Sequence, residues 1–87
     1  MLMKILYIEK FKREYKRLPQ NIKILAEKKE KIFRKDPFDK QLKTHKLHGV
    51  LKEFWAFSIN YRYRIVFDFD DKNTARFYSV GDHDIYE

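Results

Sequence analysis

The segment Tyr61-Arg-Tyr-Arg-Ile-Val-Phe-Asp-Phe69 decides the fold, because apolar and polar residues alternate along it. Successive side chains of a strand point to opposite faces of a sheet, so a period of two predicts a half-buried strand. One face is apolar and consists of Tyr61, Tyr63, Ile65, Phe67 and Phe69. The other face consists of Arg62, Arg64, Val66 and Asp68. The segment therefore predicts a strand with one face against a core and one basic face.

The segments around this strand predict the rest of a sheet. Residues 51–59 alternate in the same way, with Trp55, Phe57 and Ile59 on one face and Phe54, Ala56 and Ser58 on the other. After the segment Asp70-Asp-Lys-Asn73, which has the composition of a turn, residues 74–80 predict the returning strand. Together these segments indicate an antiparallel meander.

The first half of the chain predicts one strand and two helices. Residues 1–7 indicate a short strand, and from Ile8 apolar residues recur every three to four positions until Pro19 ends the helix. A second helix begins near Pro19 and stops at Asp36-Pro37. The predicted order is βααβββ, an α+β fold in which two N-terminal helices pack on the aromatic face of an antiparallel sheet. We expect a single domain that spans residues 1–87.

The charge of the chain indicates an anionic partner. Twenty Lys and Arg against 13 Asp and Glu give a net charge of +7, which attracts either phosphate backbones or an acidic protein. The absence of cysteine excludes disulfides and thiolate zinc sites and is typical of a reducing compartment. The N-terminal apolar run is interrupted by Lys4 and is too short for a signal peptide or a membrane span. We therefore expect a cytoplasmic protein.

Three features of the sequence could form a basic groove. Arg62 and Arg64 share a face with the small residues Ala56 and Ser58; the alternative is an ordinary half-solvated sheet face. The long segment 38–50 is the second feature, and it could equally be a solvated connector. Its basic residues and histidines are Lys40, Lys43, His45, Lys46 and His48. The third feature is the tail after Gly81, where His83 and Tyr86 could also merely help to seal the core.

His45, Arg64, His83 and Tyr86 together suit cleavage of RNA. The reaction needs a base for the 2′-OH proton, an acid for the leaving 5′ oxygen and cations for the phosphate. Histidine titrates near neutrality, arginine presents a planar charged fork, and tyrosine can stack on an unpaired base. A metal site at His45, His48 and residues 82–84 lacks any recognised ligand spacing. We expect no metal and no cofactor.

The sequence resembles toxins of the RelE/ParE superfamily, nearest to the YoeB and YafQ branch of mRNA interferases from type II toxin–antitoxin systems. The segments that carry the resemblance are His45-Lys-Leu-His-Gly49, Phe54-Trp55, Tyr63-Arg-Ile-Val-Phe67 and Val80-Gly-Asp-His-Asp-Ile-Tyr86. The resemblance covers the whole chain and implies the βααβββ fold. It also implies a metal-independent endoribonuclease that cuts mRNA in the ribosomal A site and is blocked by an acidic antitoxin.

The resemblance implies a role for each catalytic candidate. His45 matches a general base, Arg64 the arginine that steadies the scissile phosphate, His83 the acid at the leaving group, and Tyr86 an aromatic that orients the nucleotide. The basic residues expected to bind RNA are Lys43, Lys46 and Arg62.

One departure from the family concerns the second strand. Two lysines of the RelE branch are replaced here by Ala56 and Ser58, which shifts the expected chemistry onto the histidines. Two alternatives stay open: a ParE-like inhibitor of DNA gyrase without nuclease activity, and an inactive RNA-binding relative.

Overall fold

A five-stranded sheet and two helices make up the computed structural model, which describes residues 2–82. The elements in chain order are β1 Lys4–Tyr7, α1 Glu9–Lys16, α2 Gln20–Lys35, β2 His45–Lys46, β3 Trp55–Ser58, β4 Tyr63–Asp71 and β5 Thr74–Asp82. Neither helix of this part of the chain is long and apolar enough to cross a membrane.

The sheet has the strand order β1-β5-β4-β3-β2. Strands β2 to β5 form the antiparallel meander, whereas β1 runs parallel to β5. The α+β class with two N-terminal helices is confirmed, but the sheet is mixed rather than purely antiparallel. A parallel pair needs a long crossover, and α1 and α2 carry the chain from the β1 edge to the β2 edge. Strand β2 lies within the segment expected to be irregular, because two residues are too few to show an alternating pattern.

The core is built around Phe33 of α2, which is fully buried. Its ring stacks on Phe57 of β3 with 5.0 Å between the centroids. It also meets Phe67 of β4 and Phe77 of β5 edge-on, at 4.9 and 5.2 Å. Such arrangements add to the stability gained from burying apolar area. The helix-covered face of the sheet is therefore the aromatic face, as the alternation predicts.

Tyr61 is an exception to the predicted apolar face. Its side chain is 88% exposed, and β4 begins two residues later at Tyr63. The side chain of Asn60 accepts hydrogen bonds from the backbone N–H groups of Arg62 and Tyr63, at 2.9 and 2.8 Å. This Asx-type turn places Tyr61 at the tip of the β3–β4 connection, outside the sheet, so the expectation for Tyr61 was wrong.

A small second cluster covers part of the outer face of the sheet, which is the face away from the helices. Leu47, Ala56 and Val66 are buried there, and Leu51 and Phe54 pack against them. Residues 49–51 form a 3-10 turn instead of the predicted start of a strand, and this turn folds the apolar side chains back onto the sheet. The predicted groove is therefore confined to the part of this face beyond the cluster.

Glu14 fixes α1 to β5 at an irregularity in the sheet. The ladder pairs Val66 with Ser79 but Phe67 with Phe77, so β5 has one extra residue at this point. One carboxylate oxygen of Glu14 accepts hydrogen bonds from Ser79 Oγ at 2.7 Å and from the Val80 N–H at 3.1 Å. The other oxygen contacts Lys10 Nζ at 2.8 Å.

The same contacts determine how Glu14 titrates. Burial by itself raises the pKa of the Glu14 carboxyl, but the hydrogen bonds from Lys10, Ser79 and Val80 outweigh burial and hold the pKa below its usual value of 4.5. The ionised carboxylate therefore contributes more to the stability of the folded protein than the protonated form does.

We expect Glu14→Gln to flatten the acid side of the stability profile. Because the folded-state pKa is lowered, Glu14 stabilises the fold above its unfolded pKa, and this contribution is lost as the pH falls through the folded pKa. Urea unfolding between about pH 6 and pH 3 should therefore show a shallower decline for Glu14→Gln than for the natural protein. At neutral pH we expect a loss of about 1 kcal/mol.

Glu9→Gln is the matched control for this prediction. Glu9 lies in the first turn of α1 and has a side chain that is 78% exposed; within residues 2–82 its one ion pair is a surface pair with Lys12. Glu9→Gln should leave the slope of stability against pH nearly unchanged, since such exposed ion pairs contribute little to the free energy of unfolding. Equal slopes for Glu14→Gln and the natural protein would contradict the role assigned to Glu14.

Candidate functional site

Arg64 is the second residue of β4, the central strand of the sheet, and lies between two small neighbours. It pairs with Ser58 of β3 on one side and with Gly81 of β5 on the other. Its Nη1 donates to the backbone carbonyls of Asn60 and Tyr61, at 3.3 and 3.2 Å. The β3–β4 turn thus holds one end of the guanidinium group, and among the described residues the small size of Ser58 and Gly81 leaves space beside it.

The charge of Arg64 is not balanced by a carboxylate in the part of the chain that the structure describes. Arg62 donates from Nε to Asp82 at 2.8 Å, and Arg76 pairs with Asp68 at 2.9 Å and with Asp70 at 3.3 Å. Within residues 2–82, Arg64 forms no such pair. Of Arg62, Arg64 and Arg76, Arg64 is therefore the one whose charge is available to an external anion.

Arg64 and Ser58 line a polar cavity of about 240 Å³. Lys43 lines the same cavity from the segment before β2. A larger cavity of about 420 Å³ lies between α1 and α2, but its walls include Phe11, Ala26 and Ile65 and it is mainly apolar. Since phosphate chemistry needs cations and hydrogen-bond donors, the smaller cavity is the better candidate site.

His45 lies on the same face of the sheet as Arg64. It pairs with Ala56, two residues before Ser58 on β3, and Ser58 pairs with Arg64. From the standard spacings of a sheet, the Cα atoms of His45 and Arg64 lie about 12 Å apart. The two long side chains can therefore reach a common ligand between them.

A backbone contact sets the proton position on His45. Its Nδ1 lies 3.1 Å from the carbonyl oxygen of Lys43. Because a carbonyl oxygen can only accept, Nδ1 carries the proton and Nε2 of the neutral ring is left with its lone pair. That is the tautomer in which Nε2 can act as a general base.

Lys46 and Arg62, which are expected to bind RNA, make contacts with other residues. Lys46 pairs with Trp55 and places its Nζ 5.3 Å from the centroid of that ring, so it lies on the opposite face from His45. Arg62 is next to the site, but its hydrogen bond with Asp82 raises its pKa and ties its charge to a carboxylate. The structure thus places Lys43 and Arg64 at one cavity, with His45 on the same face of the sheet as Arg64, whereas Lys46 lies on the opposite face.

The predictions for His83 and Tyr86 concern residues that lie outside the described range 2–82. Within residues 2–82, no group of three His, Asp or Glu side chains could hold a metal ion. Strand β5 continues through Gly81 to Asp82, two residues beyond the predicted end at Val80.

Asn60 and Gly81 shape the site but are not among the residues that the sequence predicts for it. Asn60 organises the turn that holds Arg64, and its position between two alternating segments is the usual signal for such a turn. Gly81 is a strand residue opposite Arg64, whereas the predicted strand ends at Val80 and glycine normally weakens a strand. A glycine inside a strand can also mark a close approach of another molecule.

Comparison with solved structures places the fold among small bacterial and archaeal toxins. A YoeB/ParE toxin from Agrobacterium tumefaciens matches with a TM-score of 0.78 and 16% identity, covering 93% of this chain and 99% of that one. YafQ in the E. coli DinJ–YafQ toxin–antitoxin complex matches with a TM-score of 0.76 and 15% identity, over 97% and 96% of the two chains.

The archaeal RelE–RelB complex from Pyrococcus horikoshii OT3 gives a TM-score of 0.75 at 13% identity, over 94% and 96% of the chains. The chain therefore has the RelE/ParE toxin fold, as the sequence predicts. No protein-family model matches the sequence, and a comparison with curated proteins finds no match.

We expect neutral His45 to be protonated at Nδ1. Long-range ¹H–¹⁵N NMR correlations at a pH above about 8 distinguish the two tautomers directly. His48 is the internal control, since no side-chain hydrogen bond of His48 is found in the described structure. A dominant Nε2–H form of His45 would contradict the contact with Lys43 and would remove its lone pair from the expected position.

Proposed function

We propose that this protein is the toxin of a type II toxin–antitoxin system and acts as a metal-independent endoribonuclease on mRNA in the ribosomal A site. The observation that carries the proposal is Arg64, a cation without an ion pair in residues 2–82 that lines a polar cavity between small neighbours. His45 on the same face supplies a base with the required tautomer. The likeness of the fold to RelE, YoeB and YafQ toxins supports the same conclusion.

The proposed reaction divides the work between the cation and two histidines. Nε2 of His45 takes the proton of the 2′-OH, and the 2′ oxygen attacks the adjacent phosphorus. Arg64 holds the phosphate oxygens, where charge increases in the transition state. The bond from phosphorus to the 5′ oxygen breaks, and the leaving oxygen receives a proton from His83, the acid that the family resemblance implies. The products are a 2′,3′-cyclic phosphate and a 5′-hydroxyl, and no metal ion takes part.

Lys43, Arg62 and Tyr86 would bind the RNA around the scissile phosphate. Lys43 lines the cavity beside Arg64, and Arg62 lies two residues before it. In this scheme Tyr86 stacks on a base, as the resemblance implies. Lys46 on the other face would contribute only to the general positive field.

An acidic antitoxin is the proposed protein partner. The net charge of +7 favours an anionic partner, and the YafQ and RelE structures with the same fold are complexes with an antitoxin. Such a partner would neutralise the cations that the RNA needs.

We expect Arg64→Ala to lower the rate of mRNA cleavage on ribosomes by about 10²- to 10³-fold, as is typical when one donor to a developing charge is removed. The loss should be in the cleavage step rather than in formation of the complex. Single-turnover cleavage of a ribosome-bound mRNA, followed by primer extension, measures this rate.

Arg13→Ala is the matched control, because Arg13 is an exposed arginine of α1 on the other side of the sheet. Arg13→Ala changes the net charge by the same amount and should leave the cleavage rate within a few-fold of that of the natural protein. Full activity of Arg64→Ala would remove Arg64 from the site. Inhibition of DNA gyrase in a supercoiling assay, with no RNA cut by the natural protein, would favour the ParE-like alternative instead.

A further inference from the structure

The cavity beside Arg64 continues to α2 and is lined there by Lys29. The Lys29 ammonium donates a hydrogen bond to the backbone carbonyl of Gln41, at 3.2 Å. This contact holds the side chain between the helix and the segment that leads to Lys43. Two lysines from distant parts of the sequence therefore meet at one cavity with Arg64.

This cavity concentrates positive charge without any acidic side chain in its lining. Within residues 2–82, neither Lys29 nor Lys43 forms an ion pair, although Lys10 and Lys12 do so on α1. Like charges placed together disfavour one another unless an anion lies between them. The three cations of the cavity therefore fit a ligand with more than one negative charge.

The backbone of Lys43 supports a functional role for this lysine. It has a φ angle of +53°, in the left-handed region, and is the one residue other than glycine with positive φ in residues 2–82. Lysine rarely adopts this conformation, and such residues are enriched at functional sites. The turn directs the chain from the 3-10 turn at residues 40–42 into β2, and thereby brings Lys43 to the cavity beside His45.

Tyr61 provides an aromatic surface at the same cavity. Its side chain lines the cavity and is 88% exposed. In the part of the chain described by the structure, its ring has no aromatic partner and no cation above it. A large exposed ring next to cations is the combination that single-stranded nucleic acid uses, since bases stack on the ring while phosphates meet the charges.

We propose that Lys29 and Lys43 form a second phosphate subsite, which binds the phosphodiester next to the one held by Arg64, and that Tyr61 stacks on an adjacent unpaired base. The inference rests on the proposed function, because it takes the ligand of Arg64 to be RNA. It adds Lys29 and Tyr61 to the site and assigns a particular phosphate to Lys43. It also defines the substrate as a single strand with at least two consecutive phosphodiesters in contact with the protein.

The test is binding of RNA that cannot be cleaved. Fully 2′-O-methylated oligonucleotides are compared by fluorescence anisotropy: a dinucleotide with one phosphodiester, a tetranucleotide with three, and the tetranucleotide sequence within a hairpin duplex. Binding is measured over a series of salt concentrations. Each contact with a phosphate of single-stranded RNA contributes about 0.7 to the slope of log K against log salt.

We expect Lys29→Gln to weaken binding of the tetranucleotide by about three- to tenfold at low salt and to reduce its salt slope by about 0.7. Binding of the dinucleotide should change less than twofold, because Arg64 alone holds its single phosphate. Tyr61→Ser should weaken binding of the tetranucleotide about fivefold or more without changing the slope. Tyr61→Ser should not affect binding of the duplex, whose bases are not available for stacking.

Lys31→Gln is the matched control. Lys31 is an exposed lysine two residues further along α2, which places it on nearly the opposite side of the helix. Equal losses of tetranucleotide affinity for Lys29→Gln and Lys31→Gln would mean that only the net positive charge matters, and this would overturn the subsite. Unchanged binding of the tetranucleotide by Lys29→Gln would overturn it as well, while leaving Arg64 and the proposed function intact. If the natural protein bound none of the oligonucleotides, the subsite would be overturned, whereas the proposed function would still be tested by cleavage of ribosome-bound mRNA.

Discussion

The packing of Phe33 between helix α2 and three strands is the interaction on which the rest of the structure depends. One ring contacts Phe57, Phe67 and Phe77, which belong to β3, β4 and β5. In an 87-residue chain the core is small, and each large aromatic side chain buries more area than an aliphatic one. Because side chains alternate along a strand, fixing Phe67 on the helix side also fixes Arg64 and Val66 on the other side.

The outer face of the sheet has two parts, because a second and smaller apolar cluster covers only one of them. The Ala56–Val66 pair is covered by Leu51 and Phe54, which fold back from the connection before β3. The next pair on this face, Ser58 and Arg64, lines the polar cavity instead. An apolar cover therefore lies beside the cations, and burial next to them lowers the local dielectric and strengthens their interaction with an anion.

The sequence allowed the core and the face of Arg64 to be predicted, because both depend on an alternation that extends over nine residues. It did not allow the strand at His45 and Lys46 to be predicted, since two residues show no period. Tyr61 fits the alternation but is removed from the sheet by the turn at Asn60, and a side-chain hydrogen bond of this kind competes locally with the strand pattern.

The sequence allowed the arginines near the site to be identified, but it did not show which of them forms an ion pair. Arg62 and Arg64 look equivalent in the sequence, yet Asp82 at the end of β5 binds one of them and not the other. Lys29 gave no signal at all, because a lysine on an amphipathic helix is ordinarily a solvated surface residue. Its place beside Lys43 depends on how α2 packs against the segment before β2, which is a tertiary contact.

The nature of the RNA ends tests the central claim most directly. A ribosome-bound mRNA is prepared with a single 2′-deoxynucleotide immediately before the cleaved bond, and the products are compared with those of the unmodified mRNA. If His45 activates the 2′-OH while Arg64 holds the phosphate, the unmodified mRNA gives fragments that end in a 2′,3′-cyclic phosphate, and the modified mRNA is not cut at that bond. Cleavage of both at the same rate, with 3′-hydroxyl ends, would contradict this chemistry and the site built on it.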